Sequence, residues 1–120
     1  MKALTDFQGI FIHRDPVDMR KAINGLSEIV ATEGMGDLMG PNLFVFCGKR
    51  RNTVKILYFD KSGFALWYKR LEHEKFSWPK IKAHDQEVIR LTSEQLAWLL
   101  DGYDVWKMKP FSELRFSAFY

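Results

Sequence analysis

Cysteine is nearly absent from this chain. Cys47 is the only one, so no disulfide can close within it, and a lone thiol suits a reducing, cytoplasmic setting. Long apolar runs are missing too. No stretch approaches the roughly 20 apolar residues of a membrane-spanning helix, and Met1 to Phe7, interrupted by Lys2 and Asp6, lacks the character of a secretory leader. His13, His73 and His84 have no ligand-type spacing with Cys47, and no H-E-x-x-H pattern occurs. Neither Gly34-Met35-Gly36 nor Gly48-Lys49 completes the G-x-x-x-x-G-K-[ST] loop that cradles phosphates. Metal-dependent strand transfer needs acids around two ions roughly 4 Å apart. Asp15, Asp18 and Asp60 are the candidates, but the first two suit a helix start and the third a hairpin turn. No catalytic residue, metal site or cofactor is therefore expected, and the chain reads as a non-enzyme.

What is present is a globular composition with an uneven charge. The 120 residues are 47% hydrophobic and 15% aromatic, enough for one domain with a real core. Net charge is only +3. Between Leu43 and Lys82, however, ten Lys and Arg face three acids, a local charge of +7 that leaves −4 on the rest. Such segregation fits a polyanionic partner such as nucleic acid. It also fits lysine-rich hairpins that keep sheet edges soluble, and charge alone does not choose between them.

The pattern along the chain predicts an α+β fold: an antiparallel β-meander of four to five strands with a long N-terminal helix and a short C-terminal one. Gly9 to His13 reads as a strand. Asp15 and Pro16 have the chemistry of a helix start, and Met19, Ile23, Leu26 and Val30 follow as one apolar stripe that Gly34 or Gly36 stops. Leu43 to Cys47, Thr53 to Asp60 and Phe64 to Leu71 read as strands joined by a basic turn at Gly48 to Asn52 and a tight turn at Lys61 to Gly63. Phe76 to Trp78 is expected as a short fourth strand and Glu87 to Leu91 as a last one. Thr92-Ser93-Glu94-Gln95 is a capping box opening a helix that ends at Gly102. A single domain over 1–106 is expected, with 107–120 an unassigned tail. The meander is apolar on both faces. Phe64, Leu66 and Tyr68 point one way, and Ala65, Trp67 and Leu71 the other. The second face is expected to meet the second helix and the tail, or else a partner.

Read in order, several stretches carry a resemblance. They are Val17-Asp18-Met19-Arg20-Lys21, Asn24-Gly25-Leu26, Leu43-Phe44-Val45-Phe46 and Val54 to Asp60. Gly63-Phe64, Leu66-Trp67-Tyr68-Lys69-Arg70-Leu71-Glu72, Phe76 with Trp78-Pro79, Leu91-Thr92 and Leu99 to Gly102 continue the series. Together they resemble the accessory proteins, called TnpB, of insertion sequence 66 elements. Those proteins are distinct from the much longer RNA-guided nucleases that share the label. The resemblance covers about three-quarters of the chain and does not extend over Lys107 to Tyr120. It implies a role in DNA transposition beside a separate transposase, with no established catalytic residue.

The candidate binding residues follow from the basic segment. Lys49, Arg50 and Arg51 sit on the expected hairpin tip, with Lys55, Lys69 and Arg70 on its strands. Alternation puts Lys69 and Arg70 on opposite faces, and Arg70 has Glu72 as an alternative partner. Arg20 and Lys21 form a basic pair on the expected first helix. Trp67, Tyr68 and Trp78 are candidates for a stacking or partner surface, or else for the core. Two functions remain open: a factor that binds DNA through the basic hairpin region, or a protein adaptor or oligomerisation module of the transposition complex without DNA contact. The expected partners are accordingly the transposase, DNA and a second copy of the chain, with no membrane.

Overall fold

A computed structural model describes residues 3–80 and 86–107; the expected tail beyond Lys107, and His84, lie outside them. The fold is α+β. After a 3-10 turn at Leu4–Asp6 come strand β1 (Gly9–His13), helix α1 (Ile23–Thr32), and strands β2 (Asn42–Cys47), β3 (Thr53–Asp60) and β4 (Gly63–Arg70). Strand β5 (Val88–Arg90) and helix α2 (Ser93–Leu100) follow. The strands form one sheet in the order β4-β3-β2-β1-β5. Among the described residues no helix is long and apolar enough to cross a membrane.

The meander of β2, β3 and β4 is antiparallel as expected, but the sheet as a whole is mixed. Strand β1 runs parallel to β2, pairing Gly9 with Asn42 and Ile12 with Val45, and β5 adds antiparallel to β1. The reason is the connection. A parallel pair needs a crossover of a dozen or more residues, and residues 14–41 supply one that contains α1. Phe76 to Trp78 does not form a strand. It runs irregularly, with Phe76 and Trp78 buried and the Trp78 indole donating to the carbonyls of His13 (3.2 Å) and Arg14 (3.1 Å).

The first helix is shorter than expected and starts at Ile23, not at Asp15 and Pro16. Its N-cap is Ala22, with no side-chain cap. The backbone of residues 15–22 is bonded elsewhere. Val17 N–H donates to the Cys47 carbonyl at 2.9 Å, while the Met19 and Lys21 carbonyls accept from Lys55 Nζ at 2.7 and 2.8 Å. The Asp15 carbonyl is 2.7 Å from His13 Nδ1. Sheet contacts thus replace the first helical turns. The helix ends as its glycine suggests: Gly34 takes φ +60, and Met35 N–H reaches the Val30 carbonyl, closing a Schellman-type terminus. The capping box of α2 forms as read, with Gln95 N–H donating to Thr92 Oγ1 and Thr92 N–H to Gln95 Oε1.

Both sheet faces are covered. On one, Leu26, Val30 and Met35 pack on Phe44, Phe46 and Leu57. On the other, Ile12, Val45, Ile56 and Cys47 meet Phe76, Trp78, Leu96 and Leu99. Cys47 is fully buried, and that burial pushes its thiol up to about 12, against the opposing pull of Arg51 and the Gly48 N–H. At mildly alkaline pH the native thiol stays protonated and unreactive. A disulfide reagent should therefore label no cysteine in folded protein and one equivalent after denaturation; rapid labelling of the native state would contradict this packing.

Candidate nucleic-acid interface

The β2–β3 turn is shaped by the chain that lies beside it. A side chain at Gly48 would put its Cβ 2.6 Å from Met19 Cγ and 2.8 Å from Thr53 Oγ1, so glycine is required by close approach of residues 14–22. Arg51 takes φ +61, the left-handed region that a tight turn demands. This geometry divides the three basic residues of the tip. Lys49 and Arg50 project to one flank and line a cleft of about 510 Å³. Arg51 turns to the other flank. There its guanidinium donates to the Trp78 carbonyl at 3.4 Å and faces a second cleft with Lys75, Lys80 and Trp106.

The first cleft combines the tip with segments remote in sequence. Its walls come from Pro16 to Met19, from Gly48 to Arg50 with Asn52 and Thr53, and from Arg70 on β4. The register explains why: Thr53 and Arg70 are paired neighbours, so they share a face. Lys49 and Arg50 are exposed, and neither has a hydrogen bond or ion pair among the described residues.

The other basic candidates are engaged, except Lys21, which is exposed. Arg70 donates to Glu72 at 3.1 and 3.2 Å, which raises its own pKa further. Arg20 grips Asp18 through Nε and Nη2, the latter at 2.6 Å, and these bonds hold the Asp18 carboxyl well below the usual range. Both pairs are exposed, so anions in solution can compete for the arginines. Lys55 holds the 14–22 segment through two carbonyls and lies over the Tyr68 ring at 5.7 Å from its centroid. Lys69, on the opposite face, donates to the Leu100 carbonyl at 3.0 Å, a cation at the C-terminus of α2 where the helix dipole favours one.

Lys49, Arg50 and Arg70 are therefore brought together, with Arg20 and Lys21 on the adjoining segment. Arg51, Lys55 and Lys69 are directed elsewhere. Trp67 is half-buried against the α2 side, Tyr68 is 51% exposed, and Trp78 is 4% exposed and part of the core. Sequence reasoning missed Asn52, Thr53 and the Pro16 to Met19 wall. The one local signal for that wall was Gly48, whose lack of a side chain marks close approach. No group of three or more metal-binding side chains occurs among the described residues. Asp15 and Asp18 are tied to neighbouring arginines.

Comparison with known proteins agrees with this sequence pattern. The family model of the IS66 Orf2-like proteins matches residues 8–110. The uncharacterised protein y4jC of Sinorhizobium fredii is 32% identical over 100 residues, covering 83% of each chain. Protein y4hO of the same organism is 36% identical over 63 residues, 52% of each. No solved structure matches significantly. This chain belongs to the IS66 Orf2-like family, whose members are accessory proteins of insertion sequence 66 elements.

The division between engaged and free cations has a measurable consequence. Lys55→Met leaves the Met19 and Lys21 carbonyls without their donor and should cost about 1–2 kcal/mol in urea unfolding. Lys49→Ala, at an unpaired exposed site, should stay within about 0.5 kcal/mol of wild type. Equal costs would show that the 14–22 segment does not depend on Lys55.

Proposed function

We propose that this IS66 Orf2-like protein supports transposition by holding DNA against the first cleft, beside a separate transposase that performs the strand chemistry. Lys49 and Arg50 are the primary phosphate contacts. Arg70 joins them by exchanging Glu72 for a phosphate, and Arg20 stands ready to do the same from Asp18. The observation that carries the reading is the placement of two unpartnered cations on a rigid turn that also forms the wall of a cleft. Cations satisfied by carbonyls serve the fold. Cations left without partners on a sterically constrained tip are available to a polyanion.

Phosphate contacts position a protein without reading sequence. This site therefore supplies affinity and orientation, and selection of the element's ends falls to the transposase or to contacts outside the cleft. A protein-adaptor role is the alternative. It draws support from the exposed Tyr68, Trp98 and Tyr103, large apolar surfaces of a kind that protein partners cover.

With three phosphates contacted, binding to duplex DNA should weaken with salt at a log–log slope of about −2.7. The double variant Lys49→Ala, Arg50→Ala should reduce that slope to about −0.9 and retain the wild-type unfolding midpoint. Fluorescence anisotropy on a labelled duplex measures both. An unchanged slope in the double variant would move the contact away from the cleft, and no binding by folded protein at low salt would favour the adaptor role.

A further inference from the structure

The second cleft, on the other flank of the hairpin tip, combines an apolar lining with a cationic rim. It holds about 400 Å³, and its lining includes the irregular stretch Phe76 to Pro79 with Trp106 beside it. This stretch is held from several sides. Phe76 N–H donates to the Arg51 carbonyl at 2.7 Å, the Arg51 guanidinium donates to the Trp78 carbonyl, and the Trp78 indole donates to the carbonyls of His13 and Arg14. The Trp106 indole N–H donates to the Ser77 carbonyl, which fixes that ring against the stretch. Phe76, Trp78 and Pro79 are buried, whereas Trp106 is half-buried. The one polar atom of its side chain is already bonded, so what the side chain offers the cleft is apolar ring.

The charge around this lining is uneven. Lys75 and Lys80 bracket the stretch in sequence. Both are exposed, and neither has a hydrogen bond or ion pair among the described residues. Asp104 is the one carboxylate among the lining residues. It lies 3.9 Å from Lys107 Nζ and also accepts from the Trp106 backbone N–H. Of the acids just upstream, Glu72 is engaged by Arg70, and Glu74 does not line the cleft. Lys75, Lys80 and the partly bonded Arg51 therefore leave the rim positive.

We infer that this cleft binds an unpaired DNA strand, with a base stacked on Trp106 and neighbouring phosphates held by Lys75 and Lys80. The pairing of ring and charge selects that occupant. A single strand alternates flat apolar bases with anionic phosphates, the complement of a fixed ring set among cations. A duplex keeps its base faces in its own stack and has only phosphates and groove edges to offer. An acidic peptide would match the lysines and leave the ring uncovered. The assignment to DNA rests on the transposition role, but the site shares no side chain with the contacts proposed for the first cleft.

Titration of the full chain with an oligothymidylate of about ten nucleotides tests this, read by anisotropy and by tryptophan fluorescence, which base stacking quenches. Wild type should bind at low salt with quenching. Trp106→Phe keeps a ring and should still bind, yet lose most of the quenching, because Trp78 is buried and Trp67 and Trp98 do not line the cleft. The double variant Lys75→Ala, Lys80→Ala should keep the wild-type unfolding midpoint and make the log–log salt slope shallower by about 1.4, the share of two single-strand phosphate contacts. Absence of binding by folded protein, quenching that survives Trp106→Phe, a slope unchanged by the lysine variant, or displacement by polyglutamate as effective as by oligothymidylate would each overturn the inference. Lys49→Ala, Arg50→Ala should leave the quenching intact, so a failure of the first cleft to hold duplex and a failure of this one to hold a single strand are separate results.

Discussion

The whole architecture answers to one constraint: β2 is buried on both faces. Leu43, Phe44, Val45, Phe46 and Cys47 are five consecutive side chains with no exposure, and β2 is the middle strand of the sheet. A strand of that kind must have neighbours on both sides and a roof on each face. The chain meets the need with little material. The crossover through residues 14–41 places β1 alongside β2 and lays α1 over Phe44 and Phe46. The segment around Phe76 and Trp78, with α2, closes the face formed by Leu43, Val45 and Cys47. Residues 14–22 then lie against the end of β2, and the cleft is the space they leave beside the turn.

That constraint separates what could be read in the sequence from what could not. The capping box at Thr92, the terminus at Gly34, and the β2, β3 and β4 hairpins are local. Each is settled by residues within a few positions of one another, and each forms as its residues suggest. The parallel pairing of β1 with β2 depends on how a long crossover returns to the sheet, which no local pattern records. The same holds for Asp15 and Pro16. Their helix-start chemistry is sound in isolation, but it competes with bonds from Val17 to Cys47 and from Lys55 to Met19 and Lys21. Those bonds come from strands many residues away. Trp78, which read as either a partner surface or part of the core, lies in the core, where the distant carbonyls of His13 and Arg14 take its indole N–H.

The basic segment shows the same split at the level of single charges. Its net charge was visible at once, but the share available to a ligand was not. Alternation correctly separated Lys69 from Arg70, and the Arg70–Glu72 pair was legible from their spacing. Nothing local indicated that Lys69 would serve the end of α2 or that Lys55 would hold a loop. A lysine reaches several ångströms beyond its strand, so its partner is chosen by the fold. The accounting that matters for binding is the number of cations left over, and here it centres on Lys49 and Arg50.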